Sequence, residues 1–71
     1  MFRITGTQYL DFTTDFYAGE YPNQRFGQAF HNVLVPNGET IIMDDGRDIF
    51  YISDDREVKD FLIANVIDWN D

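Results

Sequence analysis

Apolar residues recur at helical spacing in three stretches of the chain. In the middle, residues 22–35 place Phe26, Ala29, Phe30, Val33 and Leu34 at i, i+3, i+4, i+7 and i+8, one stripe of an α-helix. Pro22 suits a first helical turn, where its missing N–H leaves nothing unpaired, and Pro36-Asn37-Gly38 supplies a stop. This central helix is expected to be the element that the rest of the chain covers. Ahead of it, Tyr9, Phe12, Phe16 and Tyr17 recur at three- and four-residue steps within residues 8–18, with Leu10 flanking. Thr5 or Thr7 can cap the start of that helix, and Gly19 its end. The Thr13-Thr14 pair opposes it, because β-branched residues lose χ1 freedom in a helix, and threonines with aromatics also fit a strand. In the last stretch, Asp54 and Glu57 have the spacing of a capping box, and acidic residues in a first turn complement the helix dipole. Val58, Phe61, Leu62, Val66 and Trp69 follow on one face, with Asn65 on the same stripe and Ile63 and Ile67 to one side.

Between the second and third helices the period changes. Residues 41–43 (Ile-Ile-Met) and 49–52 (Ile-Phe-Tyr-Ile) flank Asp44-Asp45-Gly46-Arg47, and Asp-Gly between apolar runs predicts a β-hairpin. The alternative is an irregular loop whose Ile49 and Phe50 plug the core. A lone hairpin is marginal in water, so it must pack on helices or gain a third strand from residues 2–4. The expected fold class is mainly α (α+β): about three short helices around one core, with a small β-hairpin between the second and third. Residues 1–71 form a single small domain. Its seven Phe, four Tyr and one Trp make a core feasible at a length near the lower limit for one, and they argue against disorder.

Charge narrows the partners. Thirteen acidic and five basic residues give a formal net charge of −8, which disfavours direct nucleic-acid binding through phosphate contacts and binding to anionic membranes. The acidic surface points instead toward a protein partner with a basic surface, or simply toward solubility. No cysteine is present, so neither a disulfide framework nor thiolate chemistry is expected. The first residues contain no apolar run long enough for a signal peptide, and no segment approaches a membrane span. A cytoplasmic protein is expected.

Arg25-Phe26-Gly27-Gln28-Ala29-Phe30-His31-Asn32 resembles the Arg-[Phe/Tyr]-Gly-Gln-Ala-x-x-Asn helix of small uncharacterised phage and bacterial open reading frames. In those, as here, an acidic stretch with an aromatic pair (Asp48, Phe50, Tyr51) precedes a last helix ending in Trp (Trp69). The resemblance spans most of residues 8–69, with only the octet specific. It departs over residues 36–43, where that family continues in a more helical, polar segment. It implies a small phage or prophage accessory protein, acting in the host cytosol, and carries no assigned activity. Within the octet, Gly27 flanks the apolar stripe and permits close approach of a backbone or ring. Gln28 and Asn32 lie on the other side of the helix. Arg25 and Asn32 are read first as ties to neighbouring loops, and second as part of a partner-binding face.

No catalytic arrangement is expected. His31 is the single histidine, with no second one to share a metal, and a nucleophile–base pair needs a formed pocket. Asp44-Asp45-Gly46-Arg47-Asp48 lacks the alternating carboxylates and terminal Glu of a calcium loop; position 52 is Ile. The chain is therefore expected to be no enzyme and to need no cofactor or metal. Seven acidic residues against three basic ones between Asp44 and Asp60 leave that segment at −4. Duplex DNA as long as this domain's diameter of roughly 30 Å carries about 17 charges, so full DNA mimicry is weak and a local acidic patch fits better. The expected function is an acidic protein-binding module, an accessory protein that binds and inhibits a host factor. Its candidate partner-binding residues are Asp44, Asp45, Asp48, Asp54, Asp55, Tyr51, Arg25 and Gln28. The alternative is a homodimer or larger self-assembly that buries Tyr9, Tyr17, Phe50 and Tyr51.

Overall fold

In the computed structural model, which describes residues 2–70, the elements run β1 (Ile4–Thr5), α1 (Gly6–Tyr17), α2 (Phe26–Leu34), a 3-10 turn (Ile49–Tyr51), α3 (Asp55–Asn65) and β2 (Ile67–Asp68). Three helices enclose one core, and the β content is small. That is the mainly α (α+β) class expected. No helix among the described residues is long and apolar enough to cross a membrane.

Helix α1 starts at Gly6 because Thr5 caps it. Thr5 Oγ1 accepts from the Gln8 N–H at 3.0 Å, and Gln8 Oε1 accepts from the Thr5 N–H at 2.9 Å, a reciprocal capping box. Thr13 and Thr14 are tolerated because both hydroxyls donate to the Leu10 carbonyl, at 3.0 and 2.9 Å. Tyr9 and Phe12 are buried, Leu10 and Tyr17 exposed. Gly19, at φ 88°, ends the helix as expected.

Helix α2 begins four residues later than Pro22. Tyr21, Pro22, Asn23 and Gln24 form a β-turn, with Gln24 N–H donating to the Tyr21 carbonyl at 3.4 Å and Asn23 at φ 67°. Pro at the second position and Asn with positive φ at the third are what such a turn selects, so Pro22 serves the turn and not the helix. The start of α2 is fixed from α3: Asp55 Oδ1 accepts from the Phe26 N–H at 3.1 Å. Val35 is extended before Pro36, which ends the helix. Phe26, Ala29 and Phe30 are fully buried and Leu34 partly so, but Val33 is 47% exposed. The stripe is wider than the core it covers.

The hairpin shrinks to one antiparallel bridge, Ile42 to Asp48, around a turn closed by the Gly46 N–H donating to the Met43 carbonyl at 2.8 Å. Strand geometry fails after the bridge because Asp48 Oδ1 accepts from the Phe50 N–H at 2.8 Å, curling Ile49–Tyr51 into the 3-10 turn. Ile49 is fully buried as a plug, as in the alternative reading. Gly27 makes this seating close: a Cβ there would overlap the Ile49 carbonyl oxygen.

Helix α3 is capped by Asp54, whose Oδ1 accepts from the Glu57 N–H at 3.2 Å. It buries Val58, Phe61 and Leu62 and ends at Asn65, short of Trp69. Asn65 Nδ2 donates to the Phe61 carbonyl at 3.0 Å, a local bond that competes with helix continuation. Val66 leaves the helix, and Ile67 pairs in parallel with Ile4, while Asp68 pairs with Thr5. Residues 2–4 thus lead into a pairing with the far end of the chain, not with the hairpin. Trp69 lies half exposed against Gly6, and its Nε1–H donates to the Ile63 carbonyl at 3.3 Å, occupying an acceptor in the last turn of α3. At the centre Phe12 meets Phe26 and Phe30 edge to face, with centroids 5.3 and 5.5 Å apart.

Candidate functional site

The segment from the Asp44 turn into α3 forms one face. Its groove of about 280 Å³ is lined by Arg47, Asp48, Tyr51, Ile52, Ser53, Asp54 and Glu57. Three of the residues expected there from sequence, Asp48, Tyr51 and Asp54, meet in this groove. The 3-10 turn seats Ile49 inward and projects Tyr51 outward, at 75% exposure. Arg47 crosses the groove: its Nε is 2.7 Å from Asp45 Oδ2, and its Nη2 is 2.7 Å from Glu57 Oε2. The pairing staples the turn to the first turn of α3.

Most of the carboxylates here have internal work. Asp45 Oδ1 accepts from the Arg47 backbone N–H at 3.1 Å; that bond, then the guanidinium, holds its carboxyl below the usual range. Glu57 first, and Asp45 second, hold the Arg47 guanidinium more firmly protonated than usual. Asp48 caps the 3-10 turn, Asp54 caps α3, and Asp55 caps α2 across the core. Asp44 is exposed at the turn, with no ion pair among the described residues. Glu57, Arg47 and Ser53 belong to the groove although sequence reasoning did not choose them. The ten-residue separation of Arg47 and Glu57 carries no periodic signal.

Arg25 and Gln28 lie outside the groove. Arg25 Nη2 donates to the Phe50 carbonyl at 3.4 Å, and Asn32 Nδ2 to Gln24 Oε1 at 3.0 Å. These are the loop ties read first from the octet. Gln28 is half-buried. His31 Nε2–H donates to the Glu39 carbonyl at 3.2 Å, while Nδ1 is buried without a partner among the described residues. Its ring packs edge-on against Phe50, 5.3 Å away. Among the described residues no three His, Asp or Glu side chains converge as metal ligands would.

The fold and the face define a small helical domain with an exposed acidic face that carries Tyr51. No protein-family model, curated protein or solved structure matches the chain.

Proposed function

We propose that this chain is a small acidic protein-binding module, not an enzyme, that engages a basic surface of a protein partner through the Tyr51 face. The observation that carries the reading is Tyr51 itself, three-quarters exposed on a turn whose other side is locked into the core by Ile49. A large ring left in water on a rigid support is a poor choice for solubility and a good interface anchor. The adjoining groove, about 280 Å³, is small for a metabolite site and accepts a partner side chain. Asp48 and Asp54 in its lining, with the exposed Asp44 on the preceding turn, favour Lys or Arg. The finer form, a phage-type accessory protein that inhibits a host factor in the host cytosol, rests on the resemblance of residues 25–32.

A self-assembling protein is the second reading. Tyr9 is buried and Phe50 half-buried, so such an interface would use Leu10, Tyr17, Ile63 and Trp69, all exposed. Sedimentation at rising concentration separates the two: a monomer throughout favours the partner-binding module. The direct test is affinity capture from a bacterial lysate with the wild type and with Tyr51→Ala/Asp44→Lys. Both substitutions fall at exposed positions, so the domain stays folded. A partner held by the wild type and lost by the variant is expected. Equal capture by both removes the Tyr51 face.

A further inference from the structure

A second groove, of about 230 Å³, lies between α1 and α2 and shares no residue with the Tyr51 face. Its floor is apolar: Phe12, Tyr21 and Leu34, with the Phe12 and Tyr21 rings stacked at 5.6 Å. Its rim holds Val33 from α2 and Asp11 and Asp15 from α1. Val33 belongs to the α2 stripe yet is 47% exposed, so the stripe continues past the core into this groove.

Charge says what covers it. Asp11 and Asp15 are exposed, four residues apart on one helix, and form no ion pair among the described residues; both ion pairs described there use Arg47. Like charges at that spacing repel. Asp15 also stands in the last turn of α1, which has no basic residue, where the helix dipole disfavours an anion. Two local rules are broken here without internal compensation, and such breaks collect at functional sites. A cationic partner relieves both.

We infer that the α1–α2 groove docks an amphipathic helix of a protein partner, with one large apolar anchor over Phe12 and Tyr21 and two Lys or Arg residues four apart on Asp11 and Asp15. The volume is below that of a typical small-molecule site and suits a single side chain. Both walls are helices, whose backbone groups are already paired, so an extended peptide would find no edge to join. A helix satisfies its own backbone. Residues four apart on it rise about 6 Å, the same step that separates Asp11 from Asp15.

The test uses the full chain and a synthetic helical peptide of about 16 residues with leucines on one face and two lysines four positions apart. A second peptide replaces the lysines with glutamates. Amide shifts on titration should cluster at Asp11, Asp15, Tyr21, Val33 and Leu34 with the lysine peptide and be absent with the glutamate peptide. Asp11→Lys/Asp15→Lys should weaken binding roughly tenfold, as the loss of two exposed charge pairs implies, and Val33→Asp should weaken it as well. Tyr51→Ala should bind as the wild type does, so failure of the Tyr51 face and failure of this groove are read separately. Shifts centred on Trp69 or Tyr51, equal binding of both peptides, or no binding would each overturn the assignment. Shifts in the free protein on concentration alone would put a second copy in the groove and overturn it too.

Discussion

Gly27→Ala should destabilise the protein, although alanine is the better helix former. In an open helix the change is worth about 1 kcal/mol in favour of Ala. Here the new methyl meets the Ile49 carbonyl: its Cβ would overlap the oxygen, lie 3.0 Å from the carbonyl carbon and 3.4 Å from Val58 Cγ1. Helix α2 and the 3-10 turn must then part by about 1 Å, which forfeits a quarter to a half of the dispersion contacts across the gap. Ile49 is fully buried, and deleting such a side chain outright costs about 2–5 kcal/mol, so losing half of its seating costs roughly 1–2. Overpacking strain adds about 1–3 kcal/mol. Set against the helical gain, the net loss is about 2 kcal/mol, a fall in Tm of roughly 10 °C for a domain this small. Urea or thermal unfolding followed by circular dichroism measures it. Gln28→Ala on the same helix is the control and should stay within about 0.5 kcal/mol of the wild type. A rise in Tm for Gly27→Ala would show that the turn is not seated on α2, and the rigid support for Tyr51 would go with it.

Other outcomes follow from the same contacts. Asp55→Ala strands the Phe26 N–H and should cost about 1–2 kcal/mol, with Asp55→Asn recovering most of it in the same unfolding assay, as a cap would. Phe30→Ala and Phe61→Ala each empty a core site and should cost about 3–5 kcal/mol; a native-like melt for either would place that ring at the surface. Burial first, and the Asp60 charge second, push the Tyr9 phenol above its ordinary 10.0. The folded state therefore holds that proton more tightly than the unfolded chain. Its contribution to stability is complete below pH 10.0 and is lost as pH rises through the folded value. Ultraviolet titration should find this phenol ionising above 10.0, and Asp60→Asn should lower its midpoint; a midpoint at 10.0 in the folded protein would contradict the burial.

What the sequence disclosed was local. The threonine cap before α1, the Asp54 cap of α3 and the Asp-Gly turn each depend on neighbours a few residues away. Phe26 and Phe30 likewise announce themselves by period. Two features escaped because their partners are distant, and a third because its local signal was ambiguous. Ile4 and Ile67 sit in two-residue strands at opposite ends of the chain, too short to show alternation. Asp55 reads as a first-turn residue of its own helix, and nothing in its spacing reveals that it caps another. The Tyr21–Gln24 turn was written in plain turn chemistry, but Pro22 also fits a helix start, and the helical reading overrode it. For the candidate face, the acidic cluster was legible as charge. Its division into capping carboxylates and the outward Asp44 depends on coordinates, as does the pairing of Arg47 with Glu57.

Native-state hydrogen exchange tests most directly whether the Tyr51 face is a rigid extension of the α2–α3 core. Three amides report on it: Phe26, bonded to Asp55 at 3.1 Å; Ile49, bonded to the Ile41 carbonyl at 3.1 Å; and Tyr51, bonded to the Asp48 carbonyl at 3.1 Å. If the turn is seated as described, Phe26 and Ile49 should exchange only through global unfolding, and Tyr51 within about 1–2 kcal/mol of that limit. Exchange of Ile49 and Tyr51 at the rates of an open loop, with Phe26 still protected, would contradict it.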